Sequence, residues 1–115
     1  MPYLKLNTNI PIDSEHSSKL LSQMSHLLAQ ETGKPERYVL VELNPGRPML
    51  FAGSGAPLAY MECKSIGLSS KQARSLSASL SLLLGTALNI SSDRIYIEFS
   101  DCPAEYWGWN GSTFG

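Results

Sequence analysis

The residue best placed to do chemistry is Pro2, which follows the initiator methionine in the opening stretch MPYLKLNTNIP. Aminopeptidases remove methionine before a small residue, and the proline nitrogen would then be a terminal amine with an ordinary pKa of about 7.7–8.0. Burial and a nearby lysine would lower that pKa, so that the amine could act as a general base and acid. The alternative is that Pro2 only begins a strand, a position that proline tolerates.

The cysteines and histidines indicate no second reactive site. Cys63 and Cys102 form no C-x-x-C pair, and without a visible secretory leader they are predicted to be reduced and structural. His16 and His26 share no metal-ligand spacing and are predicted to be solvated helix residues. The glycine-rich stretch 45–57 lacks the G-K-[ST] ending of a phosphate-binding loop. We therefore expect neither a metal nor an organic cofactor.

The composition excludes several classes of function. The chain has 115 residues, of which 43% are hydrophobic and 17% charged, and this predicts one folded domain rather than a disordered chain. A formal net charge of -1 provides no basic surface for nucleic acid. No apolar run approaches the roughly 20 residues of a membrane-spanning helix, and no secretory signal is visible. We predict a cytoplasmic protein without nucleic-acid or membrane partners; leaderless secretion stays open.

Four strands are predicted along the chain, the first of them directly after Pro2. YLKLN (3–7) alternates apolar and polar residues, as a half-buried strand does. YVLVEL (38–43) is rich in β-branched and aromatic residues, which favours a second strand. The same pattern then begins again, with strands at 58–63 and 94–99. The chain is therefore predicted to contain an internal repeat.

Two helices are predicted, one between the two strands of each pair. Asp13 can cap the first helix, while Gly33 and Pro35 end it. The second helix can begin after Ser69 or Ser70. Apolar residues recur along one face of each predicted helix. These are Leu20, Leu21, Met24, Leu27 and Leu28 in the first, and Ala73, Leu76, Leu80, Leu83, Leu84 and Leu88 in the second.

The predicted fold is α/β, of the two-layer α+β kind, with tandem β-α-β units at 1–57 and 58–115 in one domain. Arg37 before YVLVE and Arg94 before IYIEF occupy equivalent positions in the repeat. Right-handed crossovers would place both helices on one face of a four-stranded sheet. Because YVLVEL is apolar at consecutive positions, as in strands buried on both faces, we expect other copies of the chain to cover the second face.

Five stretches, in this order, resemble the macrophage migration inhibitory factor and D-dopachrome tautomerase family. They are MPYLKLNTNIP, TGKP (32–35), SIG (65–67), DRIYIEF (93–99) and GWNGSTF (108–114). The resemblance implies a homotrimer whose sheets form a central barrel, with active sites between subunits. It also implies keto–enol isomerisation of small aromatic 2-oxo acids such as phenylpyruvate, with Pro2 as the base after removal of Met1 and no cofactor.

The resemblance also assigns site residues by matching positions. Lys34 and the backbone amide of Ile66 match the groups that bind the substrate carboxylate. Tyr96 matches a tyrosine that enters the neighbouring subunit's pocket, and Tyr38 and Phe114 match aromatic pocket residues. Each position also has a simpler structural interpretation, as a solvated lysine at a helix end, a packed strand residue or a core aromatic residue.

Several positions depart from the family pattern. Glu98 replaces an asparagine that donates a hydrogen bond to phenolic substrates, and an ionised glutamate can only accept. Trp107 and Tyr3 make the implied pocket narrower and more aromatic. The receptor-binding arginine and aspartate of the family fall on Ile12 and Gly46. This favours catalysis over the alternative, a cytokine-like binding protein with a vestigial pocket.

Overall fold

The computed structural model describes residues 1–115 and contains a four-stranded sheet, two long helices and a short C-terminal hairpin. The sheet strands are β1 (Tyr3–Thr8), β2 (Leu40–Asn44), β3 (Ala59–Ile66) and β4 (Ile95–Cys102). The helices are α1 (Ser14–Thr32) and α2 (Ser70–Leu88), and the hairpin strands are β5 (Gly108–Trp109) and β6 (Ser112–Thr113). Single turns of 3-10 helix lie at Glu36–Tyr38, Ser92–Arg94 and Ala104–Tyr106. No helix combines the length and apolar character needed to cross a membrane.

The sheet has the order β2-β1-β3-β4. β1 pairs in parallel with β2, β3 pairs in parallel with β4, and the two central strands are antiparallel to each other. Each long helix connects the two strands of one parallel pair. The predicted α+β architecture, with two β-α-β units and a four-stranded sheet, is confirmed.

The helix ends are fixed by the side chains that the sequence indicated. The Asp13 carboxylate accepts the backbone N–H of His16 at 2.8 Å, and Gly33 ends α1 in the left-handed conformation at φ 71°. At α2 the cap is Ser69, whose hydroxyl accepts from the Gln72 N–H at 3.1 Å, while the Gln72 side chain accepts from the Ser69 N–H at 3.0 Å. This reciprocal pair is a capping box.

The core lies between one face of the sheet and both helices. Alternate strand residues point into it, as expected for half-buried strands. The fully buried side chains include Leu4, Leu6, Met61 and Cys63 from the sheet and Met24, Leu28, Leu76, Leu80 and Leu84 from the helices. Burial raises the pKa of the Cys63 thiol to about 12, so this thiol stays protonated at neutral pH, in agreement with the predicted structural role.

The other face of the sheet is open in the single chain and is polar. Tyr3 donates its hydroxyl to Glu42 at 2.7 Å, and the Lys5 ammonium lies 3.1 Å from Glu62. Leu40 and Tyr96 are the exposed large hydrophobic side chains on this face, at 63% and 65%. The predicted start of the second strand at Tyr38 is wrong, since β2 begins at Leu40.

The start of β2 at Leu40 has a local cause in the backbone. The Tyr38 N–H donates to the carbonyl of Pro35 at 3.0 Å, and the Val39 N–H donates to that of Glu36. These two bonds form a 3-10 turn that ends at Tyr38, so β2 begins at Leu40. The first residues of the apolar run thus do not alternate across the sheet.

Candidate active site

Pro2 is fully buried immediately before β1. Its carbonyl accepts the backbone N–H of Leu40 at 3.0 Å, which fixes the start of β1 against β2. Tyr3 is paired with Lys64 of β3, two residues before that strand ends at Ile66. Pro2 and Ile66 therefore lie at the same end of the sheet.

The terminal amine of Met1, one residue before Pro2, is held in an environment that favours its neutral form. Its pKa is lowered from the ordinary value of 8.0, first by burial and second by the ammonium of Lys34. Lys34 follows Gly33, whose left-handed backbone ends α1 and directs the chain toward this end of the sheet. Because a neutral amine carries a free lone pair, this environment can produce a base near neutral pH.

Three aromatic rings form a cluster beside β2, referred to below as the aromatic cluster: Tyr38, Trp109 and Phe114. Trp109 and Phe114 are stacked with ring centres 5.6 Å apart. Tyr38 meets both edge-on, at 5.5 Å from Trp109 and 5.8 Å from Phe114. The guanidinium of Arg37 lies 4.8 Å from the centre of the Tyr38 ring. Such a cluster can hold a substrate ring by apolar burial and by edge-to-face contact.

The C-terminal segment brings two of these rings to Tyr38 from the opposite edge of the sheet. β4 ends at Cys102, which is paired with Ile66, whereas Tyr38 precedes β2 at the other edge. The segment after β4 therefore passes across the end of the sheet that holds Pro2. Asn110 and Gly111, at φ 52° and 79°, form the predicted tight turn between β5 and β6.

Trp109 belongs to the aromatic cluster, whereas the sequence predicts Trp107 as the pocket residue. Trp107 is half-buried, and its backbone carbonyl accepts the N–H of Phe114 at 3.2 Å. It therefore holds Phe114 in place, while the indole of Trp109 stacks on the Phe114 ring. The signal was present, since Trp109 lies within GWNGSTF directly before the Asn-Gly turn.

Asp101 fixes the turn that follows Ile66. Like the contact of Trp109, this role was not indicated by the sequence. One oxygen of its carboxylate accepts the backbone N–H groups of Gly67 at 2.9 Å and Leu68 at 3.1 Å. Gly67 has φ 73°, a conformation that favours glycine. The end of β3 is thus held rigidly beside the end of β4.

Two assigned residues lie away from Pro2 in the single chain. Tyr96 is paired with Tyr60, which lies opposite Asn7 toward the far end of β1. Glu98 is paired with Glu62 in the middle of the open face. Burial first, and the carboxylates of Glu98 and Glu62 after it, raise the pKa of Tyr60. One chain does not bring Tyr96 or Glu98 to Pro2.

Tyr3 lies next to Pro2 but points its hydroxyl along the open face to Glu42. Burial, followed by this hydrogen bond and the charges of Glu42 and Glu62, raises the pKa of Tyr3 to about 12. Its phenol is therefore protonated at neutral pH.

As for metals, no group of three His, Cys, Asp or Glu side chains comes together in a geometry that could hold an ion.

Comparison with known proteins gives a single family. The model of the family described as macrophage migration inhibitory factor matches residues 1–115. The macrophage migration inhibitory factor of Meriones unguiculatus is 45% identical over 115 residues, which are 99% of each chain. The homolog from Brugia malayi is 44% identical over the full length of both chains. The solved structure of the Prochlorococcus marinus homologue has a TM-score of 0.92 and 42% identity, covering 98% of this chain and 99% of that one.

Proposed function

The chain belongs to the macrophage migration inhibitory factor family, and we propose that it is a keto–enol tautomerase of small aromatic 2-oxo acids, phenylpyruvate being the type substrate. The observation that carries the proposal is the lowered pKa of the Met1 amine, caused by burial and by Lys34, because removal of Met1 would expose the amine of the buried Pro2 to the same surroundings. The family is part of the tautomerase superfamily, whose chemistry is isomerisation.

Pro2 would act as the proton carrier once Met1 is removed. While Met1 is attached, the nitrogen of Pro2 is an amide and has no useful basicity. As a free terminal amine, it takes the proton from C3 of the keto acid, and the ammonium that results gives a proton to the oxygen at C2. One C–H bond is broken and one O–H bond is formed, with no change in oxidation state and no cofactor.

The other residues would bind and orient the substrate. The Lys34 ammonium and the backbone N–H of Ile66 would hold the carboxylate, because charge-assisted hydrogen bonds are strong in a partly buried site. The aromatic cluster would enclose the ring. Binding the carboxylate on Lys34 would also bring C2 and C3 of the substrate toward the chain terminus, whose amine this lysine influences.

We further propose a homotrimer in which Tyr96 and Glu98 complete the site of a neighbouring subunit. Their separation from Pro2 in one chain supports this arrangement, as do the exposed Leu40 on edge strand β2 and the open face of the sheet. Light scattering or sedimentation at micromolar concentration is expected to give the mass of three chains. A stable monomer that still turns over phenylpyruvate would contradict the shared site.

The direct test of the function is an assay of phenylpyruvate enol–keto interconversion on protein whose mass has been measured. Chains that lack Met1 are expected to be active, and chains that retain it are expected to be inactive. Absence of turnover in a trimer with a free Pro2 amine would refute the tautomerase proposal and favour the cytokine-like alternative.

We expect Glu98 to make the enzyme prefer phenylpyruvate over its 4-hydroxy analogue. An ionised carboxylate offers no donor to the oxygen of a ring hydroxyl. A polar group left unpaired costs about 1–3 kcal/mol, so kcat/KM for the two substrates should differ by about five- to 150-fold. Steady-state kinetics with both substrates measures this preference.

Two variants separate the causes of that preference. Glu98→Asn and Glu98→Gln both supply an amide donor and should narrow the difference, whereas Glu15→Gln on exposed α1 should leave it unchanged. Equal kcat/KM values in the wild type would refute the role of Glu98. An unchanged ratio in both Glu98 variants would assign the preference to the bulk of Trp107.

A further inference from the structure

The guanidinium of Arg94 donates hydrogen bonds to four backbone carbonyls of one loop. Its Nε donates to the carbonyl of Pro57 at 3.1 Å, and its Nη1 donates to that of Phe51 at 3.0 Å. Its Nη2 donates to the carbonyls of Ser54 and Ala56, each at 3.0 Å. Four of the five guanidinium N–H donors are thus used on a single loop between β2 and β3.

This loop, residues 51–57 and called the arginine-bound loop below, has few other supports. Phe51 and Ser54 close a tight turn through two backbone hydrogen bonds of 3.0 Å, with Ala52 at φ 53° inside the turn. The Asn9 amide donates to the Gly55 carbonyl at 2.9 Å. Residues 52–57 are exposed, so the loop buries little apolar surface of its own. Arg94 therefore supplies more of the side-chain hydrogen bonds that hold this loop than any other residue.

The arginine-bound loop carries a ring that contacts Tyr96. The guanidinium carbon of Arg94 lies 5.2 Å from the centre of the Phe51 ring. The Phe51 ring in turn lies 4.6 Å from the Tyr96 ring, at an interplanar angle of 46°. Tyr96 is 65% exposed in the single chain, so within its own subunit the packing of Phe51 restrains where its ring points.

We propose that Arg94 is a positioning residue for substrate binding: it fixes the arginine-bound loop, and through Phe51 it sets the orientation of Tyr96. The proposal rests on the proposed function in one respect, that Tyr96 is the tyrosine which meets the substrate ring. A tyrosine held in its bound orientation before the substrate arrives loses less conformational freedom on binding. The planar fork of arginine suits this role, because an ammonium cannot reach four carbonyls in such different directions.

Loss of Arg94 should therefore raise KM and leave kcat nearly unchanged. Arg94→Met keeps the aliphatic stem and removes every donor, and the freed tyrosine should raise KM by about two- to tenfold. kcat should stay within about twofold, because general-base catalysis requires the base itself and the hydrogen bonds of Arg94 go to the arginine-bound loop. Arg94→Lys should give an intermediate KM, and Arg74→Met, on the exposed side of α2, controls for the lost charge.

A double variant tests whether Arg94 acts through Phe51. Phe51→Leu alone should raise KM in the same direction while Arg94 remains in place. Arg94→Met combined with Phe51→Leu should raise KM no further than the larger single change, as expected for residues that act in series. Additive increases would refute the route through Phe51. Phe51→Leu and Arg94→Lys also keep the test open if Arg94→Met does not fold.

A second measurement does not depend on activity. In protein labelled with 3-fluorotyrosine, the fluorine resonance of Tyr96 is identified by its loss in Tyr96→Phe. Arg94→Met should move that resonance toward its position in unfolded protein, while the control Arg74→Met should not. If the wild type lacks turnover, the tautomerase proposal fails, but this resonance still reports on positioning. An unmoved resonance in folded Arg94→Met would overturn the proposal.

Discussion

Replacement of Pro2 by glycine is expected to lower kcat for phenylpyruvate by about 10²- to 10⁴-fold, the usual contribution of a general base. Glycine keeps a terminal amine after methionine removal, but it has no ring to fill the buried site and leaves the backbone free to move. The nitrogen is then no longer held at the reacting carbon. The fold should survive, because the bond from the Leu40 N–H to the carbonyl of residue 2 is a backbone bond.

Three controls are needed to interpret this result. Intact mass must show that Met1 is absent from both proteins, and circular dichroism must show that both are folded. Pro48→Gly, in an exposed loop outside the proposed site, controls for the loss of a proline as such and should retain full kcat. Near wild-type turnover in folded Pro2→Gly would show that another group is the base.

The helices and the central strands could be predicted from the sequence because their signals are local. A capping side chain acts on the backbone N–H three residues away, as Asp13 does for His16, and the leucine spacing follows the turn of the helix. The start of β2 could not be predicted in the same way. A run of β-branched and aromatic residues favours a strand, but the hydrogen bond from Tyr38 to Pro35 forms a 3-10 turn in its first part.

In the candidate site, too, some residues could be predicted from the sequence and others could not. Pro2 and Lys34 were singled out by residue type and family resemblance, and the structure brings the terminal amine and this lysine together. Trp109 could not be placed from local pattern alone, because its contact with Tyr38 depends on a segment that crosses from one edge of the sheet to the other. Arg94 and Asp101 act through backbone carbonyls and N–H groups that leave no pattern in the sequence.

Replacement of Lys34 by methionine is the second large effect that we expect, a fall in kcat/KM of about ten- to a hundredfold. Methionine keeps the aliphatic stem but removes the charge. A hydrogen bond to a charged group contributes about 1.5–3 kcal/mol, and the lost bond to the substrate carboxylate should appear mainly as a higher KM. Lys19→Met, on exposed α1, is the matched control and should change neither constant. A KM unchanged in Lys34→Met would show that another group holds the carboxylate.

The same variant should also shift the dependence of activity on pH, in a direction that the structure fixes. Burial is the larger cause of the lowered pKa of the Met1 amine, and the Lys34 charge is the second; we expect the same two causes to act on the Pro2 amine once Met1 is removed. Removing that charge makes the protonated amine less unfavourable, so the pKa rises but stays below its ordinary value of 8.0 because burial remains. Since the neutral amine is the base, kcat/KM rises with pH through this pKa, and the midpoint of that rise should move to higher pH in Lys34→Met. A midpoint that stays in place while KM rises would confine Lys34 to binding the carboxylate, and the tuning of the amine would then belong to burial alone.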